Sequence, residues 1–193
     1  SEQLPFANHP QKPELGVRNV PFSSELFIEK DDFQEVPEKG FKRLSPGSEV
    51  RLRNAYIIRC DKVEKDSAGN ITTLHCSYDP DTKTGMSGSE RKVKGVIHWV
   101  SAPHALTAEI RLYDRLITVA NPGGGEWKDE LNADSIELIS DAKIEPSLAD
   151  ALPEAGYQFE RQGYFCVDLK DSVPGKPVFN RTVTLRDSWS GKK

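Results

Sequence analysis

The sequence contains no apolar run near the roughly 18 residues that a membrane span requires. No charged-then-apolar leader opens it. A cytoplasmic protein that touches no membrane is the expectation. Motifs of nucleotide and hydrolytic chemistry are also missing: no GxxxxGK[ST] loop, no GxGxxG turn, no HExxH and no GxSxG. The glycine run Gly123–Gly125 has no Lys-Ser/Thr behind it, so it reads as a loop and not a phosphate cradle. The three cysteines, Cys60, Cys76 and Cys166, form no CxxC pair. That argues against zinc and for small buried hydrophobes in a reducing compartment. His9, His75, His98 and His104 show no metal-ligand spacing. The carboxylates Asp31–Asp32 and Asp79/Asp81 fall in loops and read as solvated turn residues. Neither a metal nor a catalytic centre is expected in this chain.

What is present is β-prone sequence with lopsided charge. Hydrophobic residues make up 36% of 193 positions, which suits two small cores better than one deep one. The net charge of −4 is unevenly spread. Residues 41–60 hold Lys42, Arg43, Arg51, Arg53 and Arg59 against Glu49 alone, whereas residues 126–154 hold nine acids against Lys128 and Lys143. A polyanion feels the local field, because screening limits reach to about 8–10 Å.

Residues 1–19, with three prolines, read as an extended arm or linker. From Val20 onward, short runs alternate apolar and polar residues with a period near two. Asp66–Asn70 is a cluster of turn formers between two such runs and predicts a hairpin. DPDTKTGMSGSE is a long polar loop that reads as mobile. NPGGG at 121–125 is a break, and AKIEPSLADAL has room for a helical turn or two. YQFERQGYFCVDLK and PVFNRTVTLRDSW read as a last pair of strands. The expected class is all-β, built as barrels or sandwiches.

If 51–59 is one strand, Arg51, Arg53 and Arg59 share a face, and Leu52, Tyr56 and Ile58 turn to the core. Closely spaced guanidiniums on one face suit a polyanion or base edges, since the planar fork bonds phosphate and base acceptors bidentately. They equally suit an edge strand guarded by charge. From the residues alone both readings stand open.

VRLRNAY, VEKDSAGNITTLHCSYD, RKVKGVIHWVSAPHAL, EIRLYDRL, FERQGYFCVD and KPVFNRTVTLRDSW supply a further clue. These ordered blocks resemble the C-terminal anticodon-binding region of bacterial glutaminyl-tRNA synthetases, from about Asn8 to Trp189. The resemblance implies two β-barrels after an arm at 1–19. A discontinuous proximal barrel would use 20–39 with 120–193, and a distal barrel would use 40–119. It implies a tRNA partner whose CUG or UUG anticodon is splayed into separate pockets. By that resemblance Arg51 contacts the first anticodon base, with Arg53 beside it. Gln158 serves the central uridine, Arg43 reads the third base, Lys42 meets the backbone, and Arg161 lies near the loop. Gly40 stands where the family pattern has glutamine, and Ser188 where it has threonine. ATP and glutamine would bind a catalytic half absent from this chain, which itself needs no cofactor. The implied protein is a monomer with no DNA partner. Alternatives are a related glutamyl-tRNA synthetase fragment, a 5S-rRNA-binding ribosomal-type barrel, or a β-domain for protein contacts.

Overall fold

Alternating side chains become strands throughout, because β-branched and aromatic residues can bury one face of a pleated ribbon while the other meets solvent. The computed structural model describes residues 1–119 and 126–185. The NPGGG break and the RDSW residues, including Ser188, lie outside the described residues. Between the strands stand 3-10 turns of three or four residues. Among the described residues no helix is long and apolar enough to cross a membrane. The all-β expectation is met. The chain forms two compact units, Ser1–His104 and Ala105–Lys193.

In the first unit, β1 (Glu2–Ala7) and β2 (Val17–Phe22) make an antiparallel hairpin with Leu4 opposite Val20. β3 (Leu26–Phe27) pairs with β8 (Val100–Ser101). A sheet of order β6-β5-β4-β7 combines β4 (Glu49–Leu52), β5 (Ile57–Lys65), β6 (Ile71–Asp79) and β7 (Val96–Ile97), with β4 and β7 parallel. Leu4, Phe6, Val20, Leu44, Val50, Leu52, Ile58, Ile97 and Trp99 share one core. The Phe6 and Trp99 rings meet edge-on with centroids 5.9 Å apart.

The second unit is one sheet of order β10-β9-β13-β12-β11. Its strands are β9 (Leu106–Tyr113), β10 (Ile136–Ile144), β11 (Gly156–Phe159), β12 (Gly163–Val167) and β13 (Val178–Val183), and only the β13–β9 pair is parallel. Its core gathers Ala108, Ile110, Ile144, Phe165, Val167 and Phe179.

Several sequence expectations change here. Residues 1–19 are no free arm: Leu4 and Phe6, two apart and so on one strand face, are buried beside Val20. The units also differ from the expected division at 20–39, 40–119 and 120–193. Val20 packs with Val50 and Leu52, and Leu106–Tyr113 pairs with β10 and β13. Residues 51–59 are not one strand. Arg53 and Asn54 turn the chain, with the Ala55 amide donating to the Leu52 carbonyl at 2.9 Å and Asn54 at φ 54°. Asparagine reaches that left-handed region at low cost because its short amide bonds locally. Arg59 therefore lies opposite Glu49 across a ladder, and Arg51 opposite Ile57. YQFERQGYFCVDLK is likewise a hairpin, β11 to β12. AKIEPSLADAL gives the end of β10 and one 3-10 turn at Pro146–Leu148.

The 80–91 segment is fastened rather than loose. Buried Thr82 donates its hydroxyl to the Asp79 carbonyl at 2.6 Å and accepts the Ile57 amide at 2.9 Å. Of the cysteines, all free, Cys60 is buried, Cys166 half-buried and Cys76 exposed, so the buried expectation fails at Cys76. The Asp66–Asn70 hairpin turn is present: Asp66 Oδ1 accepts the amides of Ala68 and Asn70 at 2.9 and 2.8 Å.

Candidate nucleic-acid interface

The residues that follow β3 build a concave surface in the first unit. A 3-10 turn at Lys30–Asp32 leads into a bridge between Phe33 and Leu44. The Leu44 amide donates to the Asp32 carbonyl at 2.9 Å, and the Gln34 amide to the Leu44 carbonyl at 3.1 Å. Between these strips the chain reverses through Gly40, at φ 94°. The result is a concavity of about 560 Å³ lined by Lys30, Asp31, Phe33, Gln34, Gly40, Phe41, Lys42 and Arg43. Three cations against the Asp31 carboxylate, an amide and two aromatic rings provide charge, hydrogen bonding and stacking surface together.

Arg43 is oriented from behind. Its Nε lies 3.3 Å from Asp32 Oδ1, and one Nη1 hydrogen goes to the Asp31 carbonyl at 2.9 Å. Asp32 has no solvent exposure, while the Arg43 side chain is 41% exposed. The carboxylate thus anchors one edge of a guanidinium whose other edge meets solvent. Sequence reasoning took Asp31–Asp32 for a solvated pair, and for Asp32 that is corrected. Its backbone turns it inward, which adjacency in sequence does not reveal. Lys42 is exposed. Its carbonyl lies where a Cβ on residue 95 would sit, at 1.9 Å, so Gly95 is what lets the two backbones approach.

Arg51 is half-buried in β4 and does not line this concavity. Its Nη1 donates to the Thr82 carbonyl at 2.8 Å. Its Nη2 donates to the carbonyls of Ser89 at 2.9 Å and Arg91 at 3.2 Å. Of the five guanidinium hydrogens, those on Nε and the second on Nη1 make no hydrogen bond among the described residues. Arg53 is exposed at the β4–β5 turn, and its carbonyl accepts the Trp99 indole N–H at 3.0 Å.

Gln158 and Arg161 belong to the second unit and share one hairpin. Gln158 is exposed on β11 opposite Tyr164. Arg161 is exposed in the turn to β12 at φ 65°. Lys30, Phe33, Gln34 and Phe41 were missed by sequence reasoning. The aromatics flanking Lys42 and Gln34 were the available signal.

A second concavity, about 180 Å³, is lined by Glu49, Ile57, Arg59, Ser77, Tyr78, Asp79 and Arg91. Its charges pair internally: Arg91 reaches Glu49 at 3.0 Å and Asp79 at 3.6 Å. Arg59 meets Asp61 at 2.8 Å, and the Asp61 carboxyl lies below its usual range chiefly through its hydrogen bond from Ser77, then through Arg59. That surface is self-neutralised, and the 30–43 concavity is the better anion site.

Two family models, both described as tRNA synthetases class I (E and Q), anti-codon binding domain, match residues 1–79 and 96–168. A glutamine–tRNA ligase of Tolumonas auensis is 59% identical over 191 residues, which is 98% of this chain and 34% of that protein. The glutamine–tRNA ligase of Pseudomonas putida is 58% identical over 192 residues, 97% of this chain and 34% of that protein. That of Vibrio parahaemolyticus is 58% identical over 190 residues, 98% of this chain and 34% of its own length. The chain spans about a third of the length of the curated relatives it matches. It belongs to the anticodon-binding domain family of the class I tRNA synthetases for E and Q.

Proposed function

We propose that this chain reads the anticodon loop of a glutamine tRNA, as part of a ligase that joins glutamine to that tRNA with ATP. The observation that carries the reading is the 30–43 concavity, where Lys30, Lys42 and Arg43 stand with Phe33 and Phe41. Sequence-specific RNA recognition takes unstacked bases into such pockets, between rings and charge-assisted hydrogen bonds. Arg43 reads the third anticodon base with its solvent-facing edge, and Lys42 meets a phosphate. Arg51 meets the first base with its remaining donors, with Arg53 beside it. Gln158 serves the central uridine, and Arg161 lies near the loop. The two compact units act as the two anticodon-binding modules. ATP and glutamine bind outside this chain, which works as a monomer in the cytoplasm. Glutamine rather than glutamate is favoured by the names of the relatives.

The test is a titration of the chain with a CUG anticodon stem–loop and with a scrambled loop of equal length. Each bidentate base contact discriminates by about 1–3 kcal/mol on the scale known for DNA edges. The CUG loop is therefore expected to bind at least tenfold tighter. Equal, weak binding of both loops overturns the reading.

A further inference from the structure

The hairpin that carries Gln158 presents a second feature on the same face. Gln158 lies directly opposite Tyr164, and Tyr164 directly opposite Val183 on β13. Cross-strand partners share a face with Cβ atoms about 4.5–5.5 Å apart. An amide, a phenol ring and an aliphatic side chain thus form one row across β11, β12 and β13. The row is open: Gln158 is exposed, Tyr164 is 47% and Val183 58% exposed.

The opposite face already has its core. Phe159 and Phe165 stack with centroids 4.5 Å apart and an interplanar angle of 22°, and Tyr157 packs edge-on to Phe179 at 6.1 Å. The hairpin therefore does not need the Tyr164 ring for packing. Nor is the ring anchored by its hydroxyl, which has no hydrogen-bond partner among the described residues. In the same unit, the Tyr113 hydroxyl donates to Asn180 at 3.0 Å. The backbone beneath Tyr164 is firmly placed. Its carbonyl accepts the Thr182 hydroxyl at 3.0 Å, and a Cβ on Gly163 would lie 2.5 Å from the Val183 carbonyl. The ladder shifts register between Tyr164 and Phe165, a device that re-aims side chains.

We propose that Tyr164 is a stacking platform for an unpaired nucleobase, the one whose edge the Gln158 amide contacts. A glutamine alone on an open surface contributes little, because water competes for its donors and acceptor. A ring beside it supplies sequence-tolerant π-stacking and excludes water from one side of the amide. Val183 extends the apolar floor, and Arg161 places a cation three residues from Gln158 in the same hairpin. The ligand class is single-stranded RNA, and the inference rests on the anticodon-loop reading above.

The test uses the chain with three loops: CUG, scrambled, and CUG with an abasic central nucleotide. Tyr164→Leu is expected to weaken CUG binding about tenfold, and Tyr164→Phe to stay within about twofold because it keeps the ring. Against the abasic loop, wild type and Tyr164→Leu are expected to bind alike. An unchanged thermal midpoint for Tyr164→Leu verifies that the fold is intact. If wild type prefers CUG yet Tyr164→Leu binds it as tightly, the platform is overturned while anticodon reading stands. An equal loss on the abasic loop overturns it too. If wild type shows no preference for CUG, both ideas fall together.

Discussion

Asp32 contributes more to the 30–43 concavity than its position in a polar triplet suggests. A fully buried carboxylate is costly unless a cation and hydrogen bonds compensate it. Arg43 supplies the cation at 3.3 Å and is in turn held at a fixed angle. Asp32→Asn keeps an acceptor but removes the charge, and charge-assisted bonds are about twice as strong as neutral ones. The variant is expected to bind the CUG loop about fivefold more weakly, roughly 1 kcal/mol. Arg43→Ala is expected to lose binding and also about 1–3 kcal/mol of stability, because it strips a buried charge of a partner. Urea unfolding alongside the titration separates the two losses. A second carboxylate gives a pH signature. Asp168 is drawn from 3.8 to about 2, first by the Asn180 amide, then by the backbone amides of Asp171 and Lys170. A depressed carboxyl stabilises the fold fully above its unfolded value and loses that contribution as pH falls through the folded one. The Asp168 contribution is therefore present above about pH 3.8 and fades toward pH 2. In Asn180→Leu the carboxyl is expected to titrate nearer 3.8, which carboxyl-carbon NMR follows directly.

Turn chemistry separates the elements that sequence made legible from those it did not. The β5–β6 hairpin was readable because Asp66, Gly69 and Asn70 are strong turn formers, and Asp66 bonds the turn amides as expected. Two other hairpins read as single strands because a residue other than glycine stands at the left-handed position of each turn. Asn54 and Arg161 take that role, at φ 54° and 65°. β1 was hidden by Pro5 and by the prolines at 10 and 13 that follow it, although Leu4 and Phe6 already shared the parity of a core face. Of the candidate site, Lys42 and Arg43 were legible from local charge and resemblance, and Lys30 was not. The Asp32 anchor and the aromatic lining were not, since Asp32 depends on how a short 3-10 turn aims it, and Phe33 and Phe41 on the bridge and the reversal that follow. Asn54→Gly is expected to leave stability within about 0.5 kcal/mol of wild type or raise it, and Asn54→Ala to cost about 1–2 kcal/mol. Urea midpoints at constant m-value report both.

Across the whole molecule, a net charge of −4 coexists with a cationic concavity. The salt dependence of RNA binding reports contacts to phosphate and is independent of the sign of the total. If Lys42 neutralises one phosphate, Lys42→Ala is expected to reduce the slope of log K against log salt by about 0.7 and weaken all loops alike. Each unit pairs its own strands and fills its own core. The charge asymmetry noticed in sequence follows that division: the cationic run 41–60 lies in the first unit and the acidic run 126–154 in the second.

The Arg51 tie has a consequence for how recognition is measured. One side chain closes three carbonyls of the 80–91 segment, and that segment contains Lys83 and Arg91. Removing the guanidinium takes away a candidate base contact and also a latch. Limited trypsinolysis distinguishes the two: Arg51→Ala is expected to be cut after Lys83 or Arg91 much faster than wild type. An alanine scan scored by affinity alone would credit to base reading a loss that partly belongs to an unfastened loop.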